Sequence, residues 1–254
     1  MQQTFEGMAY EDLGEGTPIV FFHPPGLGSQ VFLFQKQLST EYRLIMPDFN
    51  GHGDSDFDPE LIPITKQVEQ IHRLLDHLHI PKALLCGYSA GGCYAQEFAL
   101  QYPERTLGIL LSGGFPKIVT KGLYTEFLLG LIAVERFPRA LARVLASSHT
   151  TDELVQEQLY QHMCKANVQA WYGMYHRCLL YDRTSSLQEL GVPLLLVYGT
   201  MTPWIFPHGE LYKQCPRHHV IHLKGATHQV PTKQWYTFNH IVRTFGGVVA
   251  SKQV

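Results

Sequence analysis

Six short apolar runs, separated by stretches with helical spacing, constrain the fold of this chain more than anything else in it. Ile19-Val20-Phe21-Phe22, Leu44-Ile45-Met46, Ala83-Leu84-Leu85-Cys86, Leu107–Leu111, Leu194–Tyr198 and Val220–Leu223 are continuous and almost free of charge. Runs of this length read as strands buried on both faces, the condition of a parallel sheet between two helical layers. Residues 64–78 put Ile64, Val68, Ile71, Leu74, Leu75 and Leu78 on one helical face. Trp235, Phe238, Ile241, Val242 and Phe245 repeat that spacing near the end of the sequence. The expected class is α/β, a mostly parallel central sheet flanked by helices.

The rhythm lapses between 116 and 185. Tyr124–Glu135 and Pro138–Ala146 have helical character, and a third run opens at Thr150, where Thr150-x-x-Glu153 fits a capping box. We expect residues 1–115 and 186–254 to form the core. Residues 116–185 are then a helical cap inserted between two of its strands.

Composition narrows the function classes. Twenty basic and 22 acidic residues give a formal net charge of -2 with no basic block, which disfavours nucleic-acid binding. No apolar run approaches the ~20 residues of a membrane span. The first residues, Met1-Gln2-Gln3-Thr4-Phe5-Glu6, lack the charged and apolar regions of a secretory signal. Five widely spaced cysteines without a C-x-x-C fit free thiols. The expectation is a soluble cytoplasmic globular protein, with its oligomeric state open.

Gly87-Tyr88-Ser89-Ala90-Gly91-Gly92 follows the Ala83–Cys86 strand and opens a helix over Ala90–Gln101. A strand-to-helix turn this tight strains its central residue and needs small neighbours, which the glycines supply. It pushes the Ser89 hydroxyl out at a helix N-terminus, where developing negative charge is favoured. Ser89 is the candidate nucleophile. The general base is expected late in the chain, and Gly225-Ala226-Thr227-His228-Gln229-Val230-Pro231 lies between the last strand and the terminal helix. His228 is the candidate. Other histidines, such as His72, His77, His79, His218, His219 and His222, have no cysteine or carboxylate cluster beside them, so no metal site is expected.

With these motifs in order, the chain resembles the α/β-hydrolase superfamily, in its cofactor-free branch with a helical cap. The resemblance covers roughly residues 8–246. It rests on Tyr10–Gly16, His23-Pro24-Pro25-Gly26, Asp48–Ser55, Gly87–Gly91 and the loop carrying His228. It implies a serine hydrolase that forms an acyl-enzyme on Ser89. It also implies an oxyanion hole made by the Ala90 amide and one amide from the loop after His23.

Two positions depart from the family pattern. The slot for the catalytic acid, in Gly199-Thr200-Met201-Thr202, holds Thr202, and the alternative slot in Ser112-Gly113-Gly114 offers no carboxylate. Three readings stay open. The enzyme works as a dyad with Thr202 or a water holding the imidazole; an acid is recruited, with Glu210 and Asp182 nearest in sequence; or the scaffold is weakened or repurposed. At the oxyanion loop the aligned donor is Pro25, which has no N–H, so Gly26 is the expected donor. Pro24-Pro25 also reads as a stiff turn, through a cis bond in one version.

Pro25, Leu27, Tyr88, Trp171, Tyr172, Tyr175, Trp204, Ile205 and Phe206 are expected to line an apolar pocket suited to a small ester, thioester or lactone. Asp48 reads as architecture, bonding amides of its own turn, and Cys93 as an inward-facing small hydrophobe. Two alternatives accompany the hydrolase reading. One is a weak or inactive binding or signalling protein; the other is non-hydrolytic chemistry such as C–C cleavage on the same scaffold.

Overall fold

The computed structural model describes residues 2–251. One sheet contains β1 (Gln2–Phe5), β2 (Met8–Leu13), β3 (Thr17–Phe22), β4 (Tyr42–Pro47), β5 (Ala83–Tyr88), β6 (Thr106–Ser112), β7 (Leu194–Gly199) and β8 (His218–Leu223). Its spatial order is β1-β2-β4-β3-β5-β6-β7-β8. The β1–β2 and β2–β4 pairs are antiparallel, and every pair from β4 to β8 is parallel. The six apolar runs are β3 to β8. β1 and β2 carry no such signal, because Gln2, Gln3 and Thr4 face solvent and β2 ends in Glu11-Asp12-Leu13.

Alternation along the strands feeds two cores. Val20, Phe22, Leu85, Ile109 and Leu111 face the layer that contains α1 (Ile64–His77) and α2 (Gly91–Gln101), where they meet Ile71, Leu74, Tyr94 and Phe98. Ile19, Phe21, Leu84, Cys86 and Leu110 face the opposite layer.

Between β6 and β7 lie α3 (Lys121–Arg136), α4 (Pro138–His149), α5 (Glu153–Met163) and α6 (Val168–Leu179). After β8 come the short α7 (Val230–Lys233) and the long α8 (Trp235–Ser251). α8 brings Phe238, Val242 and Phe245 to the second core. Two ion pairs fasten the neck of the inserted segment. Lys117 bonds Asp182 at 2.9 Å, and Arg183 grips the buried Glu97 with two bonds of 2.8 and 3.0 Å.

Two local expectations are corrected. Thr150 does not cap α5; it is extended, and Asp152, directly before the first helical residue, accepts from the Leu154 and Val155 amides at 2.9 and 3.2 Å. Thr150 instead accepts from the Asp152 amide at 3.1 Å. No described peptide bond is cis, so the Pro24-Pro25 turn is made without one.

Candidate active site

β5 delivers the chain to Ser89, which sits at φ 51°, the left-handed region that a non-glycine residue enters only under strain. The turn is held by the Ser89 amide donating to the Ser112 carbonyl at 2.8 Å and by the Gly92 amide donating to the Ser89 carbonyl at 2.9 Å. A side chain at Gly91 would collide with the Phe22 carbonyl, so the elbow tolerates only glycine there. Ala90 stands at the head of α2, where the first amides have no partner inside the helix.

The loop after β3 forms the facing wall. His23 donates from Nδ1 to the Pro24 carbonyl at 2.9 Å and accepts at Nε2 from the Phe49 amide at 2.9 Å, which fixes its tautomer. Burial lowers its pKa to about 3, so the ring is neutral. Pro25-Gly26 forms the corner of a turn closed by Leu27 N–H to Pro24 O at 3.4 Å. Gly26 has φ 82°, the value a type II turn requires after proline. Pro24, Pro25 and Leu27 line the cavity. Gly26 does not line it, lying instead beneath Trp171, whose ring occupies the space a Gly26 side chain would need.

That cavity, of about 540 Å³, lies between the sheet and the inserted helices. Ser89 and His228 both line it, with Tyr88, Tyr175, Thr202, Trp204 and Ile205. Three pocket expectations are corrected. Trp171 is a core residue, 1% exposed, packed over Gly26 of the loop after β3; Tyr172 is exposed on the outer side of α6; and Phe206 packs against the first core. The cause is the phase of the helices: Tyr175 projects inward and Tyr172 does not.

His228 is half-buried, and its ring lies against Gly113 and 5.3 Å from the Tyr88 ring. A side chain at Gly113 would meet the imidazole at Nδ1 and Cε1. Among the described residues, no hydrogen bond joins Ser89 Oγ to His228 in this conformation. Burial lowers the His228 pKa to about 3, and His149 lowers it further. Among the described residues no carboxylate counters that shift, whereas a nearby one would raise it.

Neither carboxylate near in sequence is brought to the imidazole, which corrects that expectation. Glu210 is exposed and paired with Lys213, one turn along its own short helix. Asp182 is spent at the neck, where Lys117 and then Thr184 hold its carboxyl down to about 2. Thr202 is buried on the cavity wall, where its carbonyl accepts from the Ile205 amide at 3.0 Å.

Two cavity residues escaped the sequence reading. His149, the last residue of α4, donates from Nδ1 to the Leu145 carbonyl at 2.7 Å and accepts at Nε2 from the Tyr88 hydroxyl at 3.1 Å. Burial lowers its pKa to about 4, although the Leu145 carbonyl pulls the other way. Its signal was the four-residue spacing of Leu141, Leu145 and His149, all of which line the cavity. Glu126, on α3, shares a face with Leu123, Phe127, Gly130 and Ala133, and accepts from Trp204 Nε1 at 2.8 Å.

Asp48 does more than order its own loop. Its carboxylate accepts from the Asp54 amide at 3.1 Å, from the Ser29 amide at 2.6 Å and from His162 of α5 at 3.0 Å. Asp48, Asp54 and His162 form the one three-residue group of metal-ligand type among the described residues. Those bonds and the Asp54–Lys165 pair occupy its donors, so it reads as a clamp between core and insertion. Cys93 is fully buried, with its thiol 3.8 Å from the Phe115 carbonyl.

A strained serine on a strand-to-helix elbow, facing a histidine from the loop after the last strand, defines a hydrolase-fold site. Residues 17–178 match the family model for the alpha/beta hydrolase fold, and the chain belongs to that family. It is similar to 3-oxoadipate enol-lactonase 2 of Acinetobacter baylyi, 23% identical over 92% of this chain and 90% of that one. It is also similar to the pimeloyl-[acyl-carrier protein] methyl ester esterase of Aeromonas salmonicida, 27% identical over 94% of this chain and 99% of that one. The solved thermophilic esterase of Thermogutta terrifontis superposes with a TM-score of 0.82 at 23% identity, covering 95% of this chain and 93% of that one. No described helix is long and apolar enough to cross a membrane.

Proposed function

We propose that this carboxylic-ester-hydrolase-like enzyme cleaves small, largely apolar esters, thioesters or lactones through an acyl-enzyme on Ser89. His228 takes the hydroxyl proton as Ser89 attacks the carbonyl carbon, then returns it to the leaving oxygen or sulfur. Water, activated by the same imidazole, releases the acid. The Ala90 amide is the first oxyanion donor, and Gly26 supplies the second if its turn opens toward the cavity. Segment 116–185 acts as the cap, and the setting is cytoplasmic. The observation that carries this reading is the positive φ of Ser89 on a cavity it shares with His228.

The test is labelling with a fluorophosphonate, followed by intact mass and peptide mapping. Stoichiometric modification at Ser89, lost in Ser89→Ala and slowed in His228→Ala, is the expected result. A folded protein that stays unlabelled would overturn it. The depressed His228 pKa without a carboxylate favours a second reading, a slow enzyme retained for binding. Labelling with a half-life of hours instead of minutes would select that one.

A further inference from the structure

The cavity has an electrostatic bias that an apolar-ester reading leaves unexplained. Its lining contains no lysine or arginine, and burial keeps both of its histidines neutral. Glu126 is the one acidic side chain on its wall, and it is exposed to solvent. Among the described residues no cation pairs with it, and its polar contact is the indole N–H of Trp204. Burial raises its pKa and that N–H lowers it.

The surroundings of that carboxylate are aromatic. Trp204, Phe127, Tyr175 and Tyr88 share the cavity wall with it, and Phe127 and Tyr175 meet edge to face at 5.4 Å. The phenols of Tyr88 and Tyr175 are raised first by burial and then by the charge of Glu126, so both rings lie within its electrostatic reach. An unpaired carboxylate beside several ring faces is the complement of an organic cation: the carboxylate supplies the opposite charge and the rings their negative faces. The same charge repels a substrate carboxylate.

We propose that the enzyme selects esters carrying an ammonium group, with Glu126 and the rings around it as the cation subsite. The inference rests on the ester-hydrolase reading and narrows its substrate class. Glu126 is an exposed residue of the cavity wall and Ser89 a partly buried one, so the ammonium is held at the more exposed of the two.

The test compares butyrylthiocholine with its uncharged 3,3-dimethylbutyl thioester isostere, in wild type and in Glu126→Gln. The glutamine oxygen still accepts from Trp204, so the substitution removes charge while keeping that bond. The wild-type kcat/KM ratio of ammonium to neutral ester should favour the ammonium by roughly tenfold or more, and Glu126→Gln should bring it close to one. Calorimetric binding of the same two compounds to Ser89→Ala reads the preference without turnover. Equal binding of both to Ser89→Ala would overturn the cation subsite, whatever the enzyme hydrolyses. Preferential ammonium binding that Glu126→Gln abolishes, in a protein without turnover, would keep the subsite and refute the hydrolase reading.

Discussion

Replacing Thr202 by aspartate probes the weakest point of the site. Thr202 lies on the same cavity wall as His228, and its loop is tied to the one that carries the imidazole. Thr200 N–H bonds Leu223 O at 3.1 Å, Met201 N–H bonds Ala226 O at 2.9 Å, and Gly225 N–H bonds Thr200 Oγ1 at 3.0 Å. His228 starts with its pKa pulled to about 3 by burial and by His149, so the imidazolium formed on attack is poorly stabilised. An opposite charge within ~4–6 Å raises such a group by about 1–3 units, a factor of roughly 10–10³ on that species. The reverse exchange in serine proteases, Asp to Asn, lowers turnover by about 10⁴, which sets the ceiling. Burying the new carboxylate offsets part of the gain, so we expect kcat for an activated short ester to rise about 10²-fold in Thr202→Asp. The acid limb of kcat/KM should move up with it. A base works only when neutral, so rate falls as pH drops through its pKa, and in wild type that limb lies below pH 5. Steady-state kinetics on p-nitrophenyl butyrate from pH 5 to 9 reads kcat directly, and an acid limb should enter that range only in Thr202→Asp. A folded Thr202→Asp with unchanged kcat and an unmoved limb would refute the claim that a missing carboxylate limits this enzyme.

Two further outcomes follow from the same geometry. Gly113→Ala places a methyl group where the His228 ring lies and forces alanine to φ 64°, so turnover should fall at least about tenfold while circular dichroism stays native; full activity would mean the ring is not held there. Acid should unfold the protein early, because His23, His52 and His149 are buried with pKa values of about 3, 4 and 4. The unfolded chain takes up these protons near pH 6.5 and the folded chain only well below it, so stability is lost as pH falls from about 6.5. At pH 5 the loss is roughly 2 kcal/mol per ring, or about 6 in total against a typical 5–15. Urea midpoints equal at pH 7 and pH 5 would refute it.

Most of the fold was legible because burial on both faces leaves an unambiguous pattern. Val20 and Phe22 serve one core while Ile19 and Phe21 serve the other, so the Ile19–Phe22 run has no polar position and reads as a strand without help. β1 and β2 were not legible for the opposite reason. They add to the sheet at an edge, and their pairing, Gln2 with Glu11 and Tyr10 with Pro47, is set by backbone bonds that side-chain polarity does not announce. α6 went unread because one of its faces carries Trp171, Met174 and Cys178, a pattern in keeping with a buried helix but unbounded by any strand.

The site divides along the same physical line. Ser89 and His228 are marked by neighbours in sequence, since an elbow needs its glycines within two residues. The carboxylates are not marked, because what a carboxylate does depends on which cation folds against it. Asp182 and Glu210 were candidates only by proximity along the chain; lysines claim both, and Glu126, which lines the cavity, has no cation among the described residues. The charge expected beside the histidine is thus absent from its slot, and a carboxylate expected nowhere stands elsewhere on the cavity lining, bonded to Trp204. A lone carboxylate there leaves the imidazole weak while giving the cavity a sign. On the proposed reading, rate then depends less on the strength of the base than on how firmly Glu126 and its rings hold a substrate against Ser89. For that reason the ammonium-to-neutral ratio should be larger in kcat/KM than in binding alone, since a cation anchored at Glu126 aligns the carbonyl as well as attracting it.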